Sequence, residues 1–505
     1  MRRFLSLFGL IMMACQVMAP AVTQRVPAVP DAPVPTLTAS ASATALHLPL
    51  PSQTVVPTVK PEETFSSRFH PDGDLFVTDL ISLEIIAPPG EELQDHEVAV
   101  RVIDPVRQDL GEAEFQPFGI GGRRQATMQW VWDTSELSSD EYTLEFSVRP
   151  EGPEWTETVS MRPQAELPPP QPGAQWETTE SECCRVHYIT GTEAARDISA
   201  LAMATDEQAE SVAEKFGAEF EGPVTLTLLP RVLGHGGFAG EEIYISYLDR
   251  NYAGNDYTQV LHHELVHILD NHLGGELRPS ILVEGLAVYL SGGHFKREAI
   301  LARAATLLDL GWYIPLKALS DDFYTAQHEI GYIEAGALVE FMVRTYGWEA
   351  FSDFYRDIRP PENGEQSQAI DRALQEHFGI TFAQLEDRLL ASLRRRAIIP
   401  ELRSDVRLTV AFYNTVRRYQ QLMDPSAYFL TAWLPSGEEM RQRGIVADYL
   451  RHPMTAENIA LESMLVEADK HLRAGRYAEA EQLISAVNLR LSQLGEVHVD
   501  PLMAQ

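Results

Sequence analysis

The first half of the chain alternates between apolar and polar positions over short distances. Between residues 64 and 160, short alternating or β-branched runs are separated by turns rich in Gly, Pro and Asp. These runs are residues 77–86, 98–103, 127–132 and 142–148. Strands at this spacing predict an all-β, immunoglobulin-like sandwich over residues 63–162.

A different pattern follows a proline-rich breaker, which predicts a linker at residues 163–175. Short apolar runs typical of strands come first, and from residue 257 the apolar positions repeat with helical spacing. Strands followed by helices predict an α+β domain at residues 176–400. Residues 401–505 are predicted to be a helical C-terminal region, in which residues 468–489 resemble one tetratricopeptide-like hairpin.

The chain begins with a segment typical of export. Residues 1–14 are predicted to be a signal peptide, because two arginines precede an apolar run too short to cross ~30 Å of hydrocarbon. The run ends at Cys15 in a sequence that resembles a bacterial lipobox, although Met12 replaces the usual Leu. We therefore expect an extracytoplasmic protein, lipid-anchored to the membrane through Cys15, with secretion after cleavage behind Ala19 as the alternative. The proline-rich residues 15–62 are predicted to be an extended tether.

Composition and charge exclude some classes of protein. The 505 residues are 45% hydrophobic and 22% charged, which suits several folded domains and excludes global disorder. Lys and Arg number 40 against 73 Asp and Glu, a net charge of −33 that would repel nucleic acid. Cys183 and Cys184 are adjacent, and because the ring closed by such a pair is strained, we expect two unpaired strand residues.

The candidate chemistry lies in residues 261–270, which contain the pattern His263-Glu264-x-x-His267. On a helix, four residues advance by about 400°, so the two imidazoles project from one face and can reach one metal ion. Glu264 lies about 100° round the helix from His263. It therefore stands beside the metal, where its carboxylate can act on a bound water.

A second acidic motif follows His267 by 17 residues. Glu284-Gly285-Leu286-Ala287 is predicted to lie near the start of a second helix, from which the carboxylate can complete a His-His-Glu set with one open position. The small Gly285 and Ala287 would let this helix approach the first one closely. The alternatives are that Glu284 only stabilises a helix N-terminus, and that His262 makes the histidines a solvated cluster.

With these two motifs the sequence resembles the gluzincin metallopeptidases, a peptidase MA-like superfamily, over residues 175–400. The resemblance implies a small sheet with helices and one Zn²⁺ per chain, with His263, His267 and Glu284 as ligands. It also implies that Glu264 is the general base.

The sequence departs from thermolysin-like enzymes at Val288, where those enzymes have an acid that orients a zinc-bound histidine. Asp270, Asn271 or a backbone carbonyl would have to supply that support. The five-residue exopeptidase motif of the superfamily's aminopeptidases is not found on the strand before the helix. The absence of this motif argues against an enzyme that removes single N-terminal residues. The two motifs that are present do not identify a substrate.

Two further segments resemble parts of the same family. Residues 331–336 resemble the segment that carries the catalytic tyrosine of aminopeptidase-like gluzincins, which implies that Tyr332 donates a hydrogen bond to the oxyanion. A core tyrosine is the alternative, and His328 is a second candidate for the role. The glycine-rich residues 234–240 precede a predicted strand at 241–248. In gluzincins that strand is an edge strand that pairs with substrate, and a flexible hairpin turn is the alternative.

The sequence thus predicts a zinc-dependent peptidase that cleaves a peptide or protein substrate outside the cytoplasm. Two other functions remain open. One is a surface binding or adhesion lipoprotein whose peptidase-like domain no longer cleaves. The other is a zinc hydrolase that acts on a different substrate, because the same kind of site polarises other carbonyl groups.

Overall fold

A computed structural model describes residues 64–90, 93–254, 256–361 and 364–495. All of these residues belong to one compact unit, Val56–Gln505. The predicted signal peptide, Cys15 and the predicted tether lie outside the described residues.

The strands are β1 (Ser66–His70), β2 (Leu75–Phe76), β3 (Leu80–Ile86), β4 (Glu97–Asp104), β5 (Gln108–Glu114), β6 (Gln116–Phe118), β7 (Arg123–Asp133), β8 (Glu141–Arg149), β9 (Glu154–Arg162), β10 (Trp176–Glu180), β11 (Cys184–Ile189), β12 (Val224–Leu229), β13 (Gly237–Ala239) and β14 (Ile243–Ser246). The helices are α1 (Glu193–Phe216), α2 (Tyr257–Leu273), α3 (Ser280–Ser291), α4 (Ile300–Leu310), α5 (Leu316–Asp321), α6 (His328–Tyr346), α7 (Trp348–Arg356), α8 (Gln366–Phe378), α9 (Phe382–Leu393), α10 (Pro400–Met423), α11 (Gly437–Arg443), α12 (Ala447–Leu450), α13 (Ala456–Arg473) and α14 (Tyr477–Leu494).

The first nine strands form two sheets around one core. One sheet has the order β1-β3-β7-β6 and the other β2-β9-β8-β4-β5. Alternate residues of β4 are buried, and Val98 and Val100 meet Ile81 and Leu83 of the opposite sheet in the shared core. The strands expected between residues 63 and 162 are therefore present as two packed sheets. Their immunoglobulin-like type stays a prediction.

The third sheet has the order β10-β11-β12-β14-β13 and packs against α1 and α2, and α3 contacts α2 in turn. Its three inner strands are parallel, and β10 and β13 are antiparallel edge strands. The prediction of an α+β fold is confirmed. The predicted strand at 241–248 is not the edge strand, however, because β14 is covered by β13. The glycine-rich segment itself supplies the edge.

The prediction for the two adjacent cysteines was wrong, because the structure joins Cys183 and Cys184 in a disulfide. Side chains of successive strand residues point to opposite faces, which would keep the two sulfur atoms apart. Cys183 lies instead in a bend just before β11, so this alternation does not apply to the pair.

The C-terminal helices pack on the rest of the unit. Helices α13 and α14 form a hairpin that lies against α10, and α10 in turn contacts α4 and α6. The predicted hairpin is present, and its tetratricopeptide-like type stays a prediction. Within the described ranges, no helix is both long enough and apolar enough to cross a bilayer.

A buried ion pair and a buried hydrogen bond connect the C-terminal segment to the first two sheets. Arg451 donates to both carboxylate oxygens of Asp79, at 2.7 and 2.6 Å. The indole nitrogen of Trp130 donates to Asp448 at 2.7 Å. Because all four side chains are buried, these bonds hold the two regions in one orientation.

Candidate metal centre

Helix α2 positions the first two predicted ligands. Its N-cap is Asp256, whose carboxylate accepts from the backbone N–H groups of Thr258 and Gln259 at 3.0 and 3.1 Å. Leu261 and Leu265 are fully buried and anchor one side of the helix in the core. The opposite side is thereby turned toward a cleft.

Three predicted ligands meet at one point of this cleft. The Nε2 atoms of His263 and His267 lie 3.2 and 3.3 Å from one carboxylate oxygen of Glu284 on α3. One ligand atom from each residue lies within 4.8 Å of the other two. Glu284 is also buried, so its carboxylate and the two imidazoles share a space with little solvent.

These residues fit a zinc ion in both spacing and chemistry. Ligand atoms placed tetrahedrally at about 2.1 Å from an ion are about 3.4 Å apart, close to the separations found here. Two imidazoles and one carboxylate form a donor set that catalytic zinc uses, with a fourth position left for water or substrate. The three side chains could therefore hold Zn²⁺.

Glu264 lies beside the three ligands and is held by the edge strand. The backbone N–H of Ala239 donates to its carboxylate. A β-carbon on Gly237 would lie only 2.8 Å from a carboxylate oxygen of Glu264, so β13 can run this close to α2 only with glycine at that position. The glycine-rich segment thus shapes one wall of the cleft.

Burial and neighbouring charges shift the pKa values of this cluster in different directions. Burial lowers the pKa of His263 to about 4 and raises the pKa of Glu264 to about 7. Burial also lowers the pKa of His267, but the charge of Glu284 outweighs it and raises the value to about 9. Burial opposes ionisation of Glu284, yet His267 and His263 hold the pKa of its carboxyl well below the usual range.

Tyr332 lies in the same cleft as His263 and Glu264. The centre of its ring is 6.1 Å from that of His263 and 4.4 Å from that of His328. Burial raises the pKa of its phenol well above the ordinary value, so the hydroxyl keeps its proton. The structure therefore brings together all five residues that the sequence singled out for metal binding and catalysis.

Three neighbouring residues differ from expectation. His262 is buried and bonds to Gln208 at 3.0 Å, so it does not belong to a solvated histidine cluster. Gly285 does not face α2, since a β-carbon there would collide with the carbonyl of Ala335 on α6. Asp270 accepts bonds from Arg278 and Tyr355 rather than from a ligand histidine.

Asn271, the other side chain considered for that support, is exposed at the end of α2. The Nδ1 atom of His267 is buried without a hydrogen-bond partner among the described residues. The bond that orients a ligand is found instead at Glu284, whose second oxygen accepts from the hydroxyl of Tyr324 at 2.8 Å.

Several residues of the cleft were not predicted. Besides Tyr324, they are His235, His294, Tyr413 and Phe429. Tyr324 and His294 lie in loops that flank helices, and no periodic pattern marks them. Tyr413 and Phe429 come from the C-terminal region, at least 140 residues after the end of α2. Only the glycines around His235 gave a signal, because they pointed to an unusual turn.

Comparisons with known proteins give structural overlaps at low similarity. No model of a known protein family matches the chain, and no curated protein matches it. The M1 zinc metallopeptidase from Deinococcus radiodurans is 13% identical, with a TM-score of 0.30 over 67% of this chain and 92% of that one. Yeast LTA4 hydrolase is 10% identical, with a TM-score of 0.32 over 86% of this chain and 90% of that one. At these scores the overlap carries no argument about the fold or the site.

Proposed function

We propose that the chain is a zinc-dependent peptidase that hydrolyses peptide bonds, with one Zn²⁺ held by His263, His267 and Glu284. The observation that carries the proposal is the convergence of these three ligand atoms beside the buried carboxylate of Glu264. Two imidazoles and a carboxylate leave room for water and substrate, whereas structural zinc sites are closed by four protein ligands.

Each side chain has a distinct task in the proposed reaction. Zinc, when bound, lowers the pKa of a coordinated water toward ~7 and polarises the substrate carbonyl. Glu264 accepts the proton of the attacking water and passes it to the amine nitrogen as the C–N bond breaks. The phenol of Tyr332 donates a hydrogen bond to the oxygen on which negative charge develops.

The edge strand favours a peptide as the substrate. Among the described residues β13 pairs only with β14, so its outer edge can pair with an extended chain. Its middle residue, Phe238, is 49% exposed, which is unusual for so large an apolar side chain. A peptide added to this edge would run past Glu264, because Gly237 and Ala239 of the same strand contact that residue.

Metal content tests the proposal directly. Elemental mass spectrometry of the full chain is expected to find about one zinc per wild-type chain and none in His263→Ala. Thr258→Ala, on the same helix but outside the ligand set, serves as the control and should keep its zinc. A wild-type chain that binds no zinc after metal is supplied would contradict the peptidase and favour the binding or adhesion lipoprotein.

The location is part of the same proposal and rests on residues 1–15, which lie outside the described residues. A basic start, a short apolar run and Cys15 support a lipid anchor outside the cytoplasm. Cells fed labelled palmitate should incorporate the label into the wild type and not into Cys15→Ser. Equal labelling of both chains would contradict the anchor.

A further inference from the structure

We propose that the cleft beside the candidate metal centre holds a binding pocket for a phenol, the side chain of a tyrosine next to the scissile bond. This inference rests on the proposed peptidase function for its role, but the pocket can be tested without the metal.

The wall of the cleft away from the metal ligands is made of rings. Among the rings that line it are those of His235, His294, His328, Tyr332, Tyr413 and Phe429. His235 and His328 stack with their planes 6° apart, and the edge of Phe429 meets His235 with ring centres 4.2 Å apart. Aromatic walls of this kind favour a flat ring as the occupant, because stacked and edge-on contacts add to its burial.

Unpartnered nitrogens distinguish this wall from an ordinary aromatic core. His328 is only 4% exposed, and neither of its ring nitrogens has a hydrogen-bond partner among the described residues. The Nε2 atom of His235 is buried without a partner as well. Buried polar atoms are nearly always bonded in folded proteins, so these nitrogens indicate a polar group that the pocket receives.

The chemistry of the two imidazoles selects that group. Burial lowers the pKa of His235 and His328 well below the ordinary value, so each ring is neutral, with one N–H donor and one acceptor nitrogen. A phenol hydroxyl both donates and accepts, and it suits either tautomer. An indole N–H only donates, and a phenylalanine ring does neither.

Charge argues against a basic side chain in the same place. The guanidinium of Arg417 lies over the ring of Phe429, 5.2 Å from its centre. It also contributes to lowering the pKa of both His235 and His328, so its positive charge is felt at the pocket wall. A lysine or arginine side chain at this wall would meet the positive charge of Arg417.

The first experiment uses the metal-free full chain. N-acetyl-tyrosinamide and N-acetyl-phenylalaninamide are titrated and their binding is followed by ligand-observed NMR. We expect the tyrosine compound to bind at least about tenfold tighter, because only its hydroxyl pairs the buried nitrogens. Equal binding of the two compounds, or binding of neither, would overturn the pocket.

Matched variants locate the effect. His328→Phe keeps a ring and removes both nitrogens, so the preference for the tyrosine compound should vanish while the phenylalanine compound still binds. His235→Phe is a second variant in case His328→Phe does not fold, and it should reduce the preference. His377→Phe is the control, since His377 on α8 bonds to Asp357, the residue after α7, and lies outside the cleft. A preference that survives in both pocket variants would contradict the proposal.

Cleavage of a peptide library by the zinc-loaded chain separates the two proposals. We expect cleavage next to tyrosine, with phenylalanine about tenfold or more slower. Cleavage without a tyrosine preference would overturn the pocket and leave the peptidase intact. Tyrosinamide binding that depends on His328, in a chain that neither holds zinc nor cleaves, would overturn the peptidase and leave the pocket.

Discussion

Two buried charged regions of this protein are built in opposite ways. Where the C-terminal segment meets the first two sheets, Arg451 meets both oxygens of Asp79 and also bonds to Gln171. In the cleft, Glu284 is held by two imidazoles and a phenol rather than by a guanidinium. In the first arrangement the negative charge of Asp79 is paired with the positive charge of Arg451. In the second, three side chains direct lone pairs at one point. The comparison indicates that buried charge serves cohesion in one region and ligand binding in the other.

The largest expected effect comes from the cleft. Glu264→Gln keeps the size of the side chain but cannot accept the proton, so peptide cleavage should fall by a factor of about 10³–10⁴ while zinc content stays at one per chain. Rates on a cleavable peptide and elemental analysis check both parts. Glu334→Gln is the control and should stay active, because this buried glutamate accepts from the backbone N–H of Ile314 and has no other hydrogen bond among the described residues. Full activity of Glu264→Gln would show that the carboxylate is not the base.

The complementary change breaks the interface between the two regions. Arg451→Met leaves the carboxylate of Asp79 buried without a cationic partner, which should lower the free energy of unfolding by about 3–5 kcal/mol. Urea unfolding followed by circular dichroism measures this loss. Zinc content of the folded fraction should not change. Arg196→Met removes a solvent-exposed ion pair with Asp249 and should leave the unfolding midpoint where it is. If Arg451→Met were as stable as the wild type, the interface would not depend on this pair.

A third prediction uses pH at the same interface. Burial raises the pKa of Asp448 to about 6, whereas an unfolded chain releases this proton near pH 4. The folded state therefore holds the proton between these values, and raising the pH through this window favours the unfolded state. Asp448→Asn does not titrate and still accepts from Trp130. The free energy of unfolding of this variant, relative to that of the wild type, should therefore rise by about 2–3 kcal/mol between pH 4 and pH 7. Urea unfolding at four pH values tests this, and parallel curves would contradict it.

The smallest effect concerns the support of one ligand. Tyr324→Phe removes the hydroxyl that donates to Glu284, so zinc should bind about tenfold more weakly with little change in stability. Competition with a metal chelator measures the affinity. Tyr355→Phe removes a similar bond to Asp270, which is not a ligand, and should leave the affinity unchanged. An equal loss in both variants would point to a general effect on packing.

Whether a feature could be predicted from the sequence depends on how close its residues are along the chain. The positions of His263, Glu264 and His267 relative to one another follow from helical geometry within five residues. Glu284 required one more step, since its helix is the next element along the chain. The sequence also indicated the strands of the first region and the C-terminal hairpin, because each has its own periodicity.

Other features depended on contacts that no local pattern encodes. The edge strand is β13 and not the strand predicted at residues 241–248, because strand order is set by pairing across the sheet. The bend before β11 decided the pairing of Cys183 and Cys184. Gly285 proved to face α6, since only packing determines which neighbour a helix face meets.

The sequence by itself thus determined the candidate ligands, the candidate base and the order of strand-rich and helix-rich regions. The tertiary structure alone decided what surrounds them: the hydroxyl of Tyr324 on Glu284, the strand that presses Gly237 against Glu264, and the ring-lined wall completed by Tyr413 and Phe429. The physical reason is distance along the chain. Helical and strand periodicity constrain neighbours in sequence, whereas contacts between residues that belong to different elements arise only when the elements pack.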